Sequence, residues 1–255
     1  MEPDYDPRLT IEGHASPAVV LVPGMNGSGQ LFYRQVPRLS AAHRVATYWL
    51  RDDAGSLDVL ADDLRAIVER LAPSERVIVI GESFGGAVAL TFALTCPEQV
   101  DALVILNSFP HFTPQFRLTL ARVGLAILPW GAMKLVRRLT AWRLHSHHTH
   151  RVEMKRFLEL TAGATKRGYL NRLGLLRDYD VRERLRALKV PVLFLAATED
   201  HLVPSVAQAR DMAARAPHST LGLLDGHRHI CLIAPDLDLA AIIDRWQADL
   251  LCRQA

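Results

Sequence analysis

The sequence has 255 residues, 49% of them hydrophobic, and a formal net charge of +3 at pH 7, which allows one sizeable buried core. Three widely spaced cysteines without metal-ligand spacing argue against a disulfide framework and favour a reducing compartment. With no apolar run of 18 residues, and with acidic residues and prolines where a secretory signal would be basic and then apolar, we expect a cytoplasmic protein that does not span a membrane.

Short apolar runs rich in Val, Ile and Leu alternate along the chain with segments whose apolar residues recur every three or four positions. Runs that are apolar throughout are typical of strands covered on both faces. The alternation predicts an α/β fold with a mainly parallel central sheet and helices on both sides. The predicted strands cover residues 18–22, 44–50, 77–80, 102–106, 192–197 and 221–224, with a further short one at 8–11, and the predicted helices cover 57–71, 84–95, 206–216 and 237–251.

The alternation stops after Leu106. From about residue 108 to residue 188 the pattern is helical, and we interpret this part as a helical cap of residues 108–188 inserted into a core formed by residues 1–107 and 189–255. The predicted helices of the cap include 116–128, 133–144, 152–161 and 181–188.

The cap carries most of the positive charge of the chain. Residues 111–186 contain 16 Lys and Arg against five Asp and Glu. This surplus makes a phosphate-bearing ligand, an anionic membrane surface or an acidic carrier protein a candidate partner, although it is also typical of an ordinary solvated helical face. Nucleic acid is not expected, because the chain has no zinc-finger spacing, RNA-binding aromatic signature or basic leucine repeat.

The strongest chemical signal is the turn at residues 81–86, Gly-Glu-Ser-Phe-Gly-Gly, which follows an apolar strand and opens a helix. Gly-x-Ser-x-Gly in this setting holds a serine in a sharp, strained bend, where the flanking positions have no room for a Cβ. Ser83 is therefore the candidate nucleophile. The backbone N–H of Phe84, at the helix N-terminus, is a candidate oxyanion donor. The alternative is a plain tight turn between strand and helix.

A glycine-rich loop follows the predicted strand 18–22 and is the candidate for the second oxyanion donor, the N–H of Met25. A flexible connection or a phosphate cradle is the alternative, but no Gly-Lys-Ser/Thr ending supports nucleotide binding. The candidate substrate contacts are Gly24 and Asn26 in this loop, Glu82 beside the nucleophile and Trp130 in the cap.

A serine nucleophile needs a histidine base, and the base needs a carboxylate to fix its tautomer. With the order serine, acid, histidine, the acid is expected after the strand 192–197, where Asp200 is our candidate and Glu199 the alternative. The base is expected after the last strand. There His227 follows a glycine, whereas His229 precedes an apolar stretch that would pack its loop on the core, and both remain candidates.

Three motifs resemble the α/β-hydrolase superfamily: Val-Pro-Gly-Met-Asn-Gly-Ser-Gly at 22–29, the turn at 81–86, and the ending that starts at His229-Ile-Cys-Leu. They are similar to bacterial and plastid esterases and acyltransferases over residues 18–107 and 190–250. The resemblance favours His229 over His227, because the pattern of histidine, apolar run and Asp-Leu then aligns without gaps. One departure is that Val22-Pro23-Gly24 replaces the His-Gly that many members carry before the oxyanion loop.

These features predict a serine hydrolase that cleaves a carboxylic ester or thioester with a hydrophobic acyl chain, without a metal or cofactor. The apolar residues of the cap would roof an acyl pocket, or alternatively only dock the cap on the core. An acyltransferase using the same residues, and a non-catalytic small-molecule-binding protein, are the competing hypotheses. The four histidines at 145, 147, 148 and 150 have metal-compatible spacing, but no carboxylate or cysteine lies among them, and we expect a solvated loop.

Overall fold

The computed structural model describes residues 8–112, 115–132, 135, 138 and 143–254. The strands in this part of the chain are β1 (Thr10–Glu12), β2 (Val19–Val22), β3 (Val45–Thr47), β4 (Val77–Glu82), β5 (Val100–Leu106), β6 (Val192–Ala197) and β7 (Ser219–Leu224). The helices are α1 (Val36–Leu39), α2 (Leu57–Leu71), α3 (Phe84–Thr95), α4 (Gln115–Ile127), α5 (Arg151–Leu160), α6 (Lys166–Leu175), α7 (Ser205–Arg215) and α8 (Leu239–Gln254). Short 3₁₀ turns lie at Gly29–Phe32, Pro97–Gln99, Trp130–Ala132 and Glu183–Ala187.

The strands form one sheet in the order β1-β3-β2-β4-β5-β6-β7. β1 pairs antiparallel with β3, and the remaining pairs are parallel. Side chains of a strand alternate between the two faces, so Val20 and Val22 join one apolar cluster with α2, α3 and α7, whereas Val19 and Leu21 join a second cluster with α1 and α8. The predicted fold, a mainly parallel sheet with helices on both sides, is confirmed.

The predicted strand at 44–50 is shorter in the structure, where β3 ends at Thr47. The next residues leave the sheet and pair with the glycine-rich loop instead. The N–H of Gly29 donates to the carbonyl of Tyr48 at 3.0 Å, and the N–H of Leu50 donates to the carbonyl of Gly27 at 2.8 Å. The apolar pattern continues past Thr47 because Tyr48 and Leu50, although outside the sheet, are buried in the same apolar cluster as β2, α2 and α3.

Between β5 and β6 the described chain is helical, with α4, α5 and α6 in that order. The predicted helix at 181–188 is instead the 3₁₀ turn Glu183–Ala187, confined between Val181, whose N–H donates to Pro110, and the start of β6. Most of the predicted helix at 133–144 lies outside the described residues. The division into core and cap remains a prediction. Among the described residues, no helix has the length and apolar character needed to cross a membrane.

The parallel arrangement determines where the candidate residues meet. The carboxyl ends of parallel strands lie at the same edge of a sheet, and ligands bind there in open α/β sheets. The loops that follow β2, β4, β5, β6 and β7 at this edge contain Met25, Ser83, Asn107, Asp200 and His229 respectively.

Candidate active site

Ser83 occupies a sharp bend between β4 and α3. Its φ of 53° and ψ of −119° lie in a region that non-glycine residues rarely adopt. The bend is held by hydrogen bonds on both sides of the residue. The N–H of Ser83 donates to the carbonyl of Leu106 at 2.9 Å, and its carbonyl accepts from the Ser108 hydroxyl at 2.7 Å and from the N–H of Gly86 at 3.0 Å. These contacts hold the backbone of Ser83 in the bend.

The two glycines that flank Ser83 are required by close packing. A Cβ at Gly81 would collide with the backbone of Gly85 in the first turn of α3, and a Cβ at Gly85 would collide with the carbonyl oxygen of Val22 in β2. The Gly-x-Ser-x-Gly pattern therefore reflects the contact of three backbone segments around the bend.

Ser83, His229 and Asp200 form a continuous chain of hydrogen bonds. His229 Nε2 lies 3.0 Å from Ser83 Oγ, and His229 Nδ1 lies 2.7 Å from Asp200 Oδ2. With Nδ1–H donating to the carboxylate, the lone pair of Nε2 faces the serine hydroxyl. This is the geometry that a histidine base needs to receive the serine proton.

Asp200 is fixed by several donors from its own loop. Its Oδ1 accepts from the N–H groups of Leu202 at 2.9 Å and Val203 at 3.1 Å, while its Oδ2 also accepts from the hydroxyl of Ser205. Burial of the carboxylate opposes ionisation, but the charge of His229 and these hydrogen bonds outweigh it and lower the pKa of Asp200. The residue is thus an anion at neutral pH.

Two neighbouring carboxyl groups raise the pKa of His229. Its burial favours the neutral ring, but Asp200, through its charge and hydrogen bond, together with Glu82 raises the pKa of His229 above the usual 6.5. His229 is therefore a stronger base than a free imidazole.

The alternative candidates have other partners. The carboxylate of Glu199 lies 2.8 Å from His147 Nε2 and 3.6 Å from Arg228 Nε, both away from Ser83. His227 Nδ1 lies 2.9 Å from the Ser146 hydroxyl. The structure therefore brings Asp200 and His229, and not Glu199 or His227, to the nucleophile turn.

The two candidate oxyanion donors come from two different segments of the chain, the start of α3 and the glycine-rich loop after β2. Phe84 is the first residue of α3, so its N–H is not used by the helix ladder. Met25 lines the cavity in front of Ser83, and its carbonyl accepts from Nη1 of Arg172 at 3.3 Å. In the same loop Asn26 lines the cavity, and Gly24 lies so close to Glu82 that a Cβ would collide with that carboxylate.

Glu82 places a second carboxyl group beside the base. Its Oε1 lies 4.0 Å from His229 Nε2, and the residue lines the same cavity as Ser83. Burial raises the pKa of Glu82 to about 7, so the group titrates near neutral pH.

A cavity of about 440 Å³ opens in front of Ser83 and His229, within the size range of small-molecule sites. Trp130 contacts Tyr169, which lines the cavity, but Trp130 itself is not among the described lining residues, and its substrate role remains a prediction. The lining is predominantly apolar and comes from two parts of the chain: Met25, Leu31, Leu202, Val203 and Ile230 from the predicted core, and Phe109, Phe112, Leu118, Leu144, Phe157, Leu173 and Leu176 from segment 108–188.

Two residues that position the site were not singled out from the sequence. Asn107, fully buried after β5, accepts from the N–H of Ala197 at 2.8 Å and donates to the carbonyl of His229 at 3.0 Å, which ties the acid strand to the base. In the sequence, a polar asparagine directly after an apolar strand could have indicated that Asn107 belongs to the site. Arg172 of α6 is 1% exposed and contacts Met25, Leu50 and Asp52. These partners are distant in sequence, and no local pattern predicts the contacts.

A family model described as alpha/beta hydrolase fold matches residues 17–234. A protein of Agrobacterium fabrum named "Putative carbamate hydrolase RutD" is 30% identical over 238 residues, covering 87% of this chain and 90% of its own length. A protein of the same name from Caulobacter sp. is 28% identical over 255 residues, covering 91% of this chain and 93% of its own.

Solved structures give the same fold. A thermophilic esterase from Thermogutta terrifontis superposes with a TM-score of 0.83 at 19% identity, covering 94% of this chain and 92% of its own. The enol-lactonase from Burkholderia xenovorans superposes with a TM-score of 0.80 at 19% identity, covering 96% and 95%. At such identity the likeness extends to the fold alone.

Proposed function

Because this chain belongs to the α/β-hydrolase family and is a hydrolase, we propose that it cleaves a carboxylic ester or thioester through an acyl-enzyme on Ser83. The proposal rests on the chain of hydrogen bonds from Ser83 Oγ through His229 to Asp200. Ser83 and His229 also line an apolar cavity. His229 is the proposed base and Asp200 the residue that orients it.

In the acylation step Ser83 Oγ attacks the carbonyl carbon of the substrate while its proton passes to His229 Nε2. Asp200, whose pKa is lowered, remains an anion and stabilises the imidazolium that forms. The carbonyl oxygen becomes an oxyanion beside the N–H groups of Met25 and Phe84. Each such donor contributes on the order of 10²- to 10³-fold in rate.

The tetrahedral intermediate then collapses. His229 gives its proton to the leaving alcohol or thiol, and the acyl group stays bonded to Ser83 Oγ. A water molecule enters, loses a proton to His229 and attacks the acyl carbon, which releases the carboxylic acid and restores the serine hydroxyl.

The cavity lining supports a hydrophobic acyl chain, because burial against Leu and Phe side chains favours the binding of an alkyl chain. A polar group would lose its hydration there without compensation. The two relatives carry the name "Putative carbamate hydrolase RutD". A carbamate is therefore a comparison substrate for this enzyme, and an ester or thioester with a hydrophobic acyl chain is the proposed one.

Covalent labelling tests the assignment directly. A fluorophosphonate probe is expected to label the wild type and the control variant Ser40→Ala, and not Ser83→Ala. Labelling of His229→Ala is expected to be slower than that of His227→Ala by about 10²-fold or more, since only the former loses the general base. An inert wild type would contradict the proposal and favour the binding-protein hypothesis.

Substrate choice requires a separate panel of acetyl, octanoyl and carbamate esters that share one leaving group. We expect kcat/KM to be highest for the octanoyl ester. A preference for acetyl would rule out the long acyl chain while leaving the Ser83 chemistry intact. Adding a long-chain alcohol and measuring ester synthesis distinguishes acyl transfer from hydrolysis.

We propose also that the substrate is met at an anionic membrane surface. α4 turns the apolar side chains of Phe116, Leu120, Val123 and Ile127 outward, with exposed Arg122 on the same helix. Apolar residues beside cations are typical of helices that lie in the interface of an anionic bilayer.

Vesicle sedimentation tests this membrane proposal. Binding to phosphatidylglycerol vesicles is expected to exceed binding to phosphatidylcholine vesicles and to fall in Leu120→Glu, but not in the control Leu251→Glu on α8, whose side chain is equally exposed. Equal binding to both lipids, or binding to an acidic carrier protein and to neither vesicle, would contradict it.

A further inference from the structure

Three potential metal ligands converge near the active site. His148 Nδ1 lies 3.1 Å from Asp236 Oδ2, and His227 Nε2 lies 3.5 Å from the same oxygen. One ligand atom from each residue lies within 4.8 Å of the other two. His148 comes from segment 108–188, whereas His227 and Asp236 belong to residues 225–238, which we call the base loop because it also carries His229.

The spacing of these atoms fits a small divalent cation. Zn²⁺ binds histidine nitrogen and carboxylate oxygen at about 2.0–2.2 Å, so two ligands of a tetrahedral site are about 3.4 Å apart. The two separations from Asp236 Oδ2 lie on either side of this value. Two imidazoles and one carboxylate are a ligand set that suits Zn²⁺ or another late transition metal better than Mg²⁺ or Ca²⁺.

The inner histidine is also supported in the way that metal ligands usually are. A ligating histidine commonly hydrogen-bonds through its second nitrogen, which fixes the ring and its tautomer. His227 Nδ1 lies 2.9 Å from the Ser146 hydroxyl, and that hydroxyl oxygen also accepts from the N–H of Arg228 at 3.2 Å. The ring of His227 is thus oriented with Nε2 towards Asp236.

The outer side of the cluster is open to solvent. The side chains of His148 and Asp236 are about half exposed, while that of His227 is buried, so an ion has a path to the ligand atoms. His148 also lies against the backbone of Gly226, where a Cβ would be 3.1 Å from its Nε2. The ring is therefore already held against the base loop.

We propose that His148, His227 and Asp236 form a binding site for Zn²⁺ or a similar transition-metal ion, with a water molecule as the fourth ligand. The ion joins segment 108–188 to the base loop. The two parts are already linked on the other side of the cluster, where the N–H of Ile230 donates to the carbonyl of Leu144 at 2.8 Å. Metal binding therefore stabilises the folded contact between them, independently of the chemistry at Ser83.

Isothermal titration calorimetry of the purified full chain with Zn²⁺, after chelator treatment, measures the affinity and stoichiometry of Zn²⁺ binding. We expect one ion per chain with micromolar or tighter Kd, a melting temperature raised by about 5–10 °C at 100 times Kd, and a visible spectrum of bound Co²⁺ that reports a low-coordinate site. His148→Ala and Asp236→Asn should each weaken Zn²⁺ binding at least tenfold.

His147→Ala is the matched control, since this neighbouring histidine contacts Glu199 and Arg228 and not the cluster. It should retain the wild-type affinity for Zn²⁺. Because His148 and Asp236 lie at the surface, circular dichroism is expected to show folded variants. Absence of Zn²⁺ binding by the wild type, unchanged binding in both His148→Ala and Asp236→Asn, or an equal loss in His147→Ala would overturn the proposal.

Discussion

The nucleophile turn and helix α4 use their apolar residues differently. Around Ser83 the strand before the turn and most of the helix after it are fully enclosed, with β4 buried along its whole length. α4 buries Leu118 at 3% exposure over the cavity, but leaves Phe116 66%, Leu120 69% and Ile127 76% exposed. The strand and helix that flank Ser83 are thus enclosed in the core, whereas α4 has both a buried and an exposed apolar face.

This difference separates the two tasks that a hydrolase has to perform. The groups that exchange protons need a fixed geometry, and a closely packed sheet edge supplies it. The residues proposed to select the substrate need only an apolar surface of suitable shape, which α4 would provide through Leu118 at the cavity. Changes at the sheet edge should therefore affect the rate of the chemistry, and changes in α4 should affect which substrate is used.

The largest effect is expected for Asp200→Asn. Loss of the carboxylate removes the group that fixes the tautomer of His229 and stabilises its charge, and kcat should fall by about 10⁴-fold. Glu199→Gln, which changes the adjacent carboxylate, should leave kcat within about twofold. Steady-state kinetics on an activated ester measure both, and equal losses in the two variants would contradict the assignment of the acid.

A smaller effect is expected where segment 108–188 meets the glycine-rich loop that carries the proposed oxyanion donor Met25. Arg172→Lys keeps the charge near Asp52 but loses the forked contacts to Met25 and Leu50, and the displaced loop should lower kcat by about 10²-fold. Arg167→Lys on the same helix is the control, because Arg167 pairs with exposed Asp53. A change in KM alone would show that Arg172 binds substrate and does not position the donor.

Filling the cavity from α4 should change selectivity without stopping the chemistry. Leu118→Trp reduces the space for the acyl chain, and the ratio of kcat/KM for octanoyl over acetyl esters should fall by about 10- to 100-fold. Val123→Trp, on the outer face of the same helix, should keep the wild-type ratio. Equal ratios in the two variants would mean that the cavity does not hold the chain.

The smallest expected effect is a shift in pH dependence. His229 must be neutral to act as base, and because its pKa is raised, the acid limb of kcat/KM should have its midpoint above pH 6.5 and activity should be lost below it. Glu82 contributes to that rise, so Glu82→Gln should move the midpoint to lower pH. A midpoint that does not move would show that Glu82 has no influence on the base.

The local patterns of the sequence were sufficient for the sheet, most helices and the nucleophile turn. Continuous apolar runs predicted the strands because both faces of this sheet are covered, and the glycines around Ser83 predicted the bend because nothing larger fits there. These features leave a local pattern in the sequence, although the packing that requires the pattern also involves distant segments such as β2. The predicted strand extended past Thr47, because residues buried in the core just beyond a strand have the same apolar pattern as residues within it.

The choice between His227 and His229, and between Asp200 and Glu199, depends on the tertiary structure. Both members of each pair have the same chemistry and lie within two residues of each other, so only the path of the loop decides which side chain faces Ser83. The contacts of Arg172 with the glycine-rich loop and the approach of His148 to the base loop join residues more than 75 positions apart. Such contacts arise from how the segment between β5 and β6 packs on the sheet edge. Local periodicity does not predict this packing, because it reflects only which face of an element is buried.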